Sequence, residues 1–202
     1  ALHFQTDRFR QFSNLTKPKW ETKQNKALFR GSATGCGVTP KDNQRLHLAK
    51  LDKRIPDLDA KITSWNRRPK KSMNGPIDLI QPDTLPFTLG NKMTFQEQFQ
   101  YKYLIHIDGH VAAFRLSWLL QSGSTILLVQ SPDNLQVWYQ PLLQPWKHYV
   151  PVQADLSDLE DQIAWCREND TLCRKMAERC QRLYDKYVSH TTDYMAFVLN
   201  KL

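Results

Sequence analysis

Two short apolar runs, each of strand length, constrain the fold of this chain most. Tyr103–Ile107 is nearly continuous in apolar character, and Thr125–Val129 repeats that character further along the chain. Strands of this kind are buried on both faces, as in a parallel sheet that is covered by helices. Stretches of helical pattern separate the runs, and strands that alternate with helices are typical of an α/β layer fold. We therefore predict an α/β domain with a mostly parallel sheet and flanking helices.

The spacing of apolar residues, together with residues that begin or end helices, predicts the remaining elements. The predicted strands are 27–30, 60–65, 103–107, 125–129 and 149–152. Helices are predicted over 7–15, 40–51, 112–120, 170–188 and 192–202, with two more that begin after Thr94 and at Asp155. Residues 66–92, rich in Pro, Asn, Gly and Lys, are predicted as one long loop. The prediction is a single domain over 1–202, with an initial segment 1–26 and closing helices in 155–202.

The net charge of +8 raises the question of a polyanionic partner. Most Lys and Arg residues are scattered, and the densest run, residues 67–71, is short and is followed by loop residues. We interpret this run as a solvated loop, with a nucleic-acid or membrane-surface patch as the alternative. The longest apolar runs are far shorter than the roughly 20 residues that span a bilayer, so no membrane span is predicted.

The cysteines and histidines predict no metal site. Cys166, Cys173 and Cys180 are seven residues apart in a helical stretch, about 10 Å between neighbours, which is too far for a disulfide. No C-x2-C spacing is present. We interpret the three cysteines as small hydrophobic residues on the buried face of a C-terminal helix, and His106 as a satisfied core histidine.

Two loops are candidates for a ligand site, because parallel α/β folds bind ligands at the carboxyl ends of their strands. One loop follows Phe29 and opens the only glycine-rich stretch, residues 31–37. The other follows Ile107 and precedes a predicted helix that carries Arg115. Backbone N–H groups at a helix start and a guanidinium both favour an oxyanion such as a diphosphate. Neither loop matches a P-loop or a G-x-G-x-x-G fingerprint, so tight turns beside a surface arginine stay as the alternative.

Several phrases of the sequence resemble glycosyltransferase family 90, the group of the Rumi-like protein O-glucosyltransferases and the fungal capsular xylosyltransferases. They keep the family's order from about Phe9 to the end of the chain, and the strongest is the stretch 139–152. The phrases are residues 28–32, 101–104, 108–109, 113–115, 122–124, 139–152, 155–157 and 169–170.

The resemblance implies a GT-B enzyme, in which two Rossmann-like domains face each other across a cleft. Such an enzyme is inverting and metal-independent, and it transfers sugar from a UDP-sugar to a hydroxyl of a glycan or protein. This chain resembles the C-terminal, donor-binding half, with no cofactor besides the donor substrate. In the family, Ser32, Arg45 and Arg115 would contact the donor diphosphate, and Asp59–Ala60 would flank the uracil. The implied donor site is Arg30, Gly31, Ser32, Arg45, Asp108, Gly109, Ala112, Ala113, Phe114 and Arg115, with the backbone of 109–113 at a helix start.

The same resemblance places the catalytic base, an Asp, in an N-terminal acceptor domain, so no catalytic residue is assigned within this chain. That domain would be a separate partner or an additional part of the protein. The resemblance implies the lumen of the secretory pathway, but Ala1–Gln5 shows no signal-peptide pattern, and a cytoplasmic location stays open. Two further function classes stay open: a non-catalytic binding or structural protein that keeps the donor fold, and a nucleic-acid module supported by charge alone.

Overall fold

Five parallel strands form one sheet at the centre of this computed structural model, which describes residues 15–71, 75–190, 196 and 200. In chain order its strands are β1 Gln24–Ser32, β2 Leu58–Ser64, β5 Tyr101–His106, β6 Thr125–Val129 and β7 Tyr149–Val152, and their order across the sheet is β2-β1-β5-β6-β7. The strands β3 Lys70–Lys71 and β4 Ile77–Asp78 form a separate antiparallel pair. The predicted α/β fold with a parallel sheet is confirmed.

Helices cover both faces of the sheet. They are α1 Gln44–Leu51, α2 Phe95–Gln98, α3 Arg115–Leu120, α4 Leu159–Glu168 and α5 Asp170–Leu183, which continues as a π-helical turn over Tyr184–Val188; 3-10 turns occupy Trp20–Thr22, Pro82–Thr84 and Gln140–Leu142. None of these described helices is long and apolar enough to cross a membrane.

Alternation along β1 separates two hydrophobic cores. Ala27 and Phe29 pack on one face of the sheet, in the core that includes residues of α1 and α4. Leu28 packs on the other face, in the core that includes α3. All five residues of β6 are buried, as its apolar run predicts. Burial of these strands from both sides fixes the sheet and therefore the positions of the loops that follow its strands.

The strand order reverses between β1 and β5. From β1 the chain crosses to β2 on one side, and β5 then pairs with the opposite edge of β1, with Ala27 beside Tyr103. The loops that leave the carboxyl ends of β1 and β5 therefore diverge and leave a crevice between them. In open α/β sheets this switch point is where ligands bind.

Two helices begin later than predicted, because side chains hold the preceding backbone in turns. The helix expected from Pro40 begins at Gln44, since the Asp42 carboxylate accepts from the N–H groups of Val38 and Thr39. The helix expected from residue 112 begins at Arg115. Here the N–H of the residue at 113 donates to the Asp108 carboxylate at 3.1 Å.

Four further predictions on elements differ from the structure or fall outside it. The helix expected at Asp155 begins at Leu159, because Leu156 has a left-handed φ of 62° that a continuous helix excludes. The predicted loop 66–92 contains the β3–β4 pair. The helices predicted over 7–15 and 192–202 lie almost entirely outside the described residues.

The cysteines behave as predicted. Cys166, Cys173 and Cys180 are buried free thiols, although Cys166 lies on α4 and the other two on α5. Cys36, in the glycine-rich loop, is free and exposed. It is the one exposed thiol among the four cysteines of the chain.

Candidate functional site

A cavity of about 310 Å³ lies at the switch point, over the carboxyl ends of three strands. The loop after β1 supplies residues 34–36, the loop after β5 supplies Asp108 and Gly109, and the loop after β6 supplies Ser131–Asp133 and Leu135. The start of α1, residues 42–45, forms the rest of the wall. The cavity volume is at the lower end of the range of about 300–1,000 Å³ that is typical of small-molecule sites.

Three consecutive residues at the start of α1 fix the loops around this cavity. Asn43 caps the helix by accepting from the N–H groups of residues 45 and 46, and its Nδ2 donates to the carbonyls of residues 34 and 37. Gln44 donates to the carbonyls of Gln130 and Ala154, in the loops after β6 and β7. A single helix start thus holds the loops that follow several strands of the sheet.

Arg45 joins the ends of β1 and β5. Its guanidinium donates to the carbonyls of Ser32 at 3.1 Å, Ile107 at 3.0 Å and Asp108 at 2.7 Å. Burial lowers the pKa of Arg45 to about 10, and the nearby Asp108 carboxylate opposes that change. The side chain therefore brings a positive charge to the floor of the cavity and also holds two strand ends together.

Arg115 and Arg45 both lie close to the ring of Phe29. The guanidinium carbon of Arg115 lies 4.7 Å from the Phe29 ring centroid, and that of Arg45 lies 5.7 Å from it. Burial lowers the pKa of Arg115 to about 9, and the positive charge of Arg45 lowers it further. The Arg115 guanidinium also donates to the carbonyl of Arg30. Neither Arg45 nor Arg115 forms an ion pair with a described carboxylate.

Gly31 makes this arrangement possible. A Cβ at position 31 would lie 2.8 Å from Cζ of Phe29 and 3.1 Å from a terminal nitrogen of Arg115. A side chain there would displace the ring or the guanidinium. The glycine at the end of β1 is therefore required by the approach of these two side chains, not by a turn.

His106 ends β5 beneath the same two arginines. Burial lowers its pKa to about 3, with further lowering by Arg115 and Arg45, so the ring is neutral at pH 7. Its Nδ1 is buried and makes no hydrogen bond with the described residues, and Nε2 lies 3.8 Å from Asp108 Oδ1. The prediction that His106 is a buried core residue is confirmed, but the prediction that its ring nitrogens have hydrogen-bond partners is wrong for Nδ1.

Lys70 is the residue that sequence reasoning missed. It belongs to the run 67–71 that was interpreted as solvated, yet it is 3% exposed, and its ammonium donates to the Gly35 carbonyl at 2.9 Å. Burial lowers the pKa of Lys70. The nearby Cys36 opposes this change, and the positive charge of Arg45 adds to it. The predicted solvated loop therefore supplies a third cation beside the glycine-rich loop. No periodicity could signal a contact across this sequence distance.

The structure places the other predicted residues in three groups. Asp108 and Gly109 line the cavity together with Arg45. Ser32 contributes its carbonyl to Arg45, while its hydroxyl lies 2.6 Å from that of Ser64. Ala112, Ala113 and Phe114 occupy the loop ahead of α3 and not the helix itself.

Arg30 points away from this cluster. It forms an ion pair of 2.8 Å with Asp59, which also accepts a hydrogen bond from the Tyr101 hydroxyl. Side-chain hydrogen bonding to Arg30 and the positive charge of Arg30 lower the pKa of Asp59 against the opposing effect of burial, which is the largest single cause. The pairing across β1 and β2 stabilises the edge of the sheet. Within the described ranges, no cluster of three or more His, Cys, Asp or Glu residues could hold a metal ion.

Sheet order and a switch-point cavity lined by the buried Arg45 define an α/β domain with a candidate ligand site. The sequence profile of Glycosyl transferase family 90 matches residues 5–202, and the chain belongs to that family. The resemblance stated from the sequence is confirmed.

Relatives and solved structures extend this finding. The 035R protein of Invertebrate iridescent virus 3 is 47% identical over 186 residues, which cover 91% of this chain and 17% of that protein. Human protein O-glucosyltransferase 3 is 34% identical over 167 residues, 82% of this chain and 29% of that protein. The chain therefore spans well under two thirds of the length of these relatives.

Two solved structures share the fold. Anabaena Alr3699/HepE in complex with UDP-glucose superposes with a TM-score of 0.54 at 12% identity, over 97% of this chain and 52% of HepE. TarM superposes with a TM-score of 0.56 at 11% identity, over 92% of this chain and 36% of TarM. These likenesses confirm the predicted Rossmann-like domain of GT-B type.

Proposed function

We propose that this chain is the donor-binding domain of a glycosyltransferase and that the switch-point cavity holds the UDP portion of a UDP-sugar. The observation that carries the proposal is the pair of guanidinium groups beside Phe29, neither of which forms an ion pair with a described carboxylate. Arginines with a lowered pKa gain most from an anionic partner, and a diphosphate accepts bidentate hydrogen bonds from guanidinium groups. Membership of family 90 and the name of the O-glucosyltransferase relatives support the same ligand class.

The proposed chemistry is transfer of the sugar to a hydroxyl of a glycan or protein acceptor. Negative charge develops on the departing diphosphate, and fixed cations beside it stabilise that charge in the transition state. Arg45, Arg115 and Lys70 are the cations available for this role, so the proposed reaction needs no metal ion. Inversion at the sugar carbon requires a base on the opposite side of the sugar, which we assign to an acceptor domain beyond this chain.

Cys36 provides a direct test of the proposed site. It lines the cavity and is exposed, whereas the other three cysteines are buried. Alkylation by N-ethylmaleimide, followed by mass spectrometry, therefore measures access to the cavity. We expect UDP at saturating concentration to slow alkylation of Cys36 at least about tenfold, because a bound ligand covers the thiol.

Matched controls separate occupancy of the cavity from other effects. Uridine without phosphates is expected to protect Cys36 far less than UDP, since the arginines then gain no anionic partner. Alkylated protein is expected to lose UDP binding in calorimetry, and the Cys36→Ala variant treated in the same way is expected to keep it. Equal alkylation rates with and without saturating UDP, together with unchanged UDP binding after alkylation, would place the donor elsewhere.

A further inference from the structure

A second depression, of about 530 Å³, lies beside the switch-point cavity at the β6–β7 edge of the sheet. Ser131 and Leu135 line both, so the two spaces are neighbours. We call the second one the amide groove, because six side-chain amides line it: Gln130, Asn134, Gln136, Gln140, Gln153 and Gln162. Its volume lies within the range of about 300–1,000 Å³ that is typical of ligand sites.

The amide groove differs from the donor cavity in charge. No Lys or Arg of the described chain lines it, and Asp158 is its sole carboxylate. A groove without Lys or Arg is unusual in a chain with a net charge of +8. A groove without cations gives no support to a phosphate or another anion, so its chemistry suits a neutral, polar ligand.

The amides keep both donors and acceptors available. Gln140 accepts from a backbone N–H through Oε1, and Gln153 accepts from the Ser157 hydroxyl, so the NH₂ group of each has no partner among the residues that the structure describes. Gln162 uses its NH₂ group on Asp158 and has its oxygen free. Sugar hydroxyls each donate one hydrogen bond and accept others, and a mixed set of amide donors and acceptors matches that pattern.

An exposed aromatic ring is part of the groove lining. Trp146 is 47% exposed, and its ring packs edge to face against Trp165 with centroids 4.9 Å apart. Its backbone has a left-handed φ of 61°, and its N–H donates to the Tyr149 carbonyl at 2.8 Å. A left-handed conformation is unfavourable for a residue other than glycine. Strain of this kind that holds a ring towards solvent is typical of binding sites.

We propose that the amide groove binds a neutral oligosaccharide, with one pyranose ring on Trp146 and its hydroxyls on the surrounding amides. A pyranose has an apolar C–H face that packs on an aromatic ring and a polar edge that hydrogen-bonds to amides. The stretch 139–152, which is the strongest family phrase, thereby gains a role that the donor cavity does not give it. Because the groove adjoins that cavity, a bound glycan would lie next to the proposed donor site.

The experiment titrates the chain with cellotetraose, maltotetraose and xylotetraose, and follows binding by calorimetry and by ligand-observed NMR. We expect saturable binding of at least one of these neutral probes. The Trp146→Gly variant removes the ring and keeps a backbone for which a positive φ is unstrained, so its fold is expected to survive. Its affinity for the probe is expected to fall about fivefold or more, and Trp146→Phe is expected to restore part of it.

Leu172→Ala is the matched control, because Leu172 is an equally exposed apolar residue on α5, 46% exposed and outside the groove. It is expected to bind the probe as the wild type does. The proposal is overturned if no neutral probe binds saturably, if Trp146→Gly binds as tightly as wild type, or if a heparin-derived tetrasaccharide binds more tightly than the neutral probes. UDP calorimetry on the same variants tests the donor site separately: oligosaccharide binding without UDP binding would refute the proposed donor cavity and leave the amide groove standing.

Discussion

Replacing Arg45 by Lys preserves the positive charge at the floor of the cavity and removes the guanidinium. The guanidinium reaches three carbonyls, of Ser32, Ile107 and Asp108, at the ends of two strands. A lysine ammonium places all its donors on one atom and cannot span that set. We therefore expect Arg45→Lys to lower the stability of the domain as well as its affinity for UDP.

The structure sets the size of the effect. Hydrogen bonds that involve a charged group contribute about 1.5–3 kcal/mol each. If the ammonium keeps one bond and loses two, the loss is about 3 kcal/mol or more. For a domain of this size, about 2–4 °C of melting temperature accompanies each kcal/mol, so the midpoint should fall by about 6–12 °C.

Urea unfolding followed by tryptophan fluorescence measures this loss, with and without UDP. Arg54→Lys is the matched control, because Arg54 is exposed beyond the end of α1, and it should unfold within about 0.5 kcal/mol of wild type. UDP at 100 times its dissociation constant should stabilise wild type by about 2.7 kcal/mol and Arg45→Lys by less. If Arg45→Lys unfolds at the same urea concentration as the control, the three carbonyl bonds do not support the strand ends as argued.

Two further predictions test other parts of the structure. Gly31→Ala should weaken UDP binding and lower the free energy of unfolding by about 1–3 kcal/mol, because the added Cβ meets Phe29 and the Arg115 guanidinium. Calorimetry measures the first effect and urea unfolding the second. A fully stable variant with wild-type affinity would contradict the geometry. Lys23 is buried at the opposite end of the sheet with carbonyl and hydroxyl partners, and burial lowers its pKa from 10.5 to about 7. Between pH 7 and 10.5 the unfolded chain binds a proton at Lys23 that the folded chain does not, so this group makes the free energy of unfolding rise with pH. Relative to Lys23→Met, the free energy of unfolding of wild type should increase by about 1.4 kcal/mol per pH unit within that window. A difference between the two proteins that stays constant from pH 7.5 to 9.5 would refute the assignment.

The sheet and its site region follow from sequence patterns of short range. The apolar runs of β5 and β6 indicate strands that are buried on both faces. Because parallel α/β sheets bind ligands at the carboxyl ends of their strands, the loops that hold Gly35 and Gly109 are then the candidate sites. Helix starts were predicted less well. Carboxylates such as Asp42 and Asp108 accept hydrogen bonds from nearby backbone N–H groups and hold the backbone in turns. At these places the spacing of apolar residues, or Pro40, predicts a helix.

Contacts between distant segments were beyond sequence reasoning. Lys70 looks like one member of a basic run, and only the β3–β4 pair brings its ammonium to the Gly35 carbonyl. The approach of two guanidinium groups to the ring of Phe29 is equally invisible in sequence, because Arg45 and Arg115 lie on different helices. The family resemblance predicts a donor-site role for both arginines but does not indicate which of them also supports the backbone.

That double use of Arg45 links ligand binding to the order of the loops. Asn43, Gln44 and Arg45 hydrogen-bond to carbonyls in the loops after β1, β5, β6 and β7. An anion that draws the Arg45 guanidinium towards itself competes with those carbonyls, whereas an anion that binds the outer face of the guanidinium strengthens the existing arrangement. The second geometry costs no rearrangement, and Arg115, which donates to a single described carbonyl, is the freer of the two to turn towards a ligand. A diphosphate that reaches both guanidinium groups should therefore bind Arg115 directly and use Arg45 chiefly as a fixed charge. Arg115→Lys should then lose more free energy of UDP binding, measured by calorimetry, than free energy of unfolding, measured in urea.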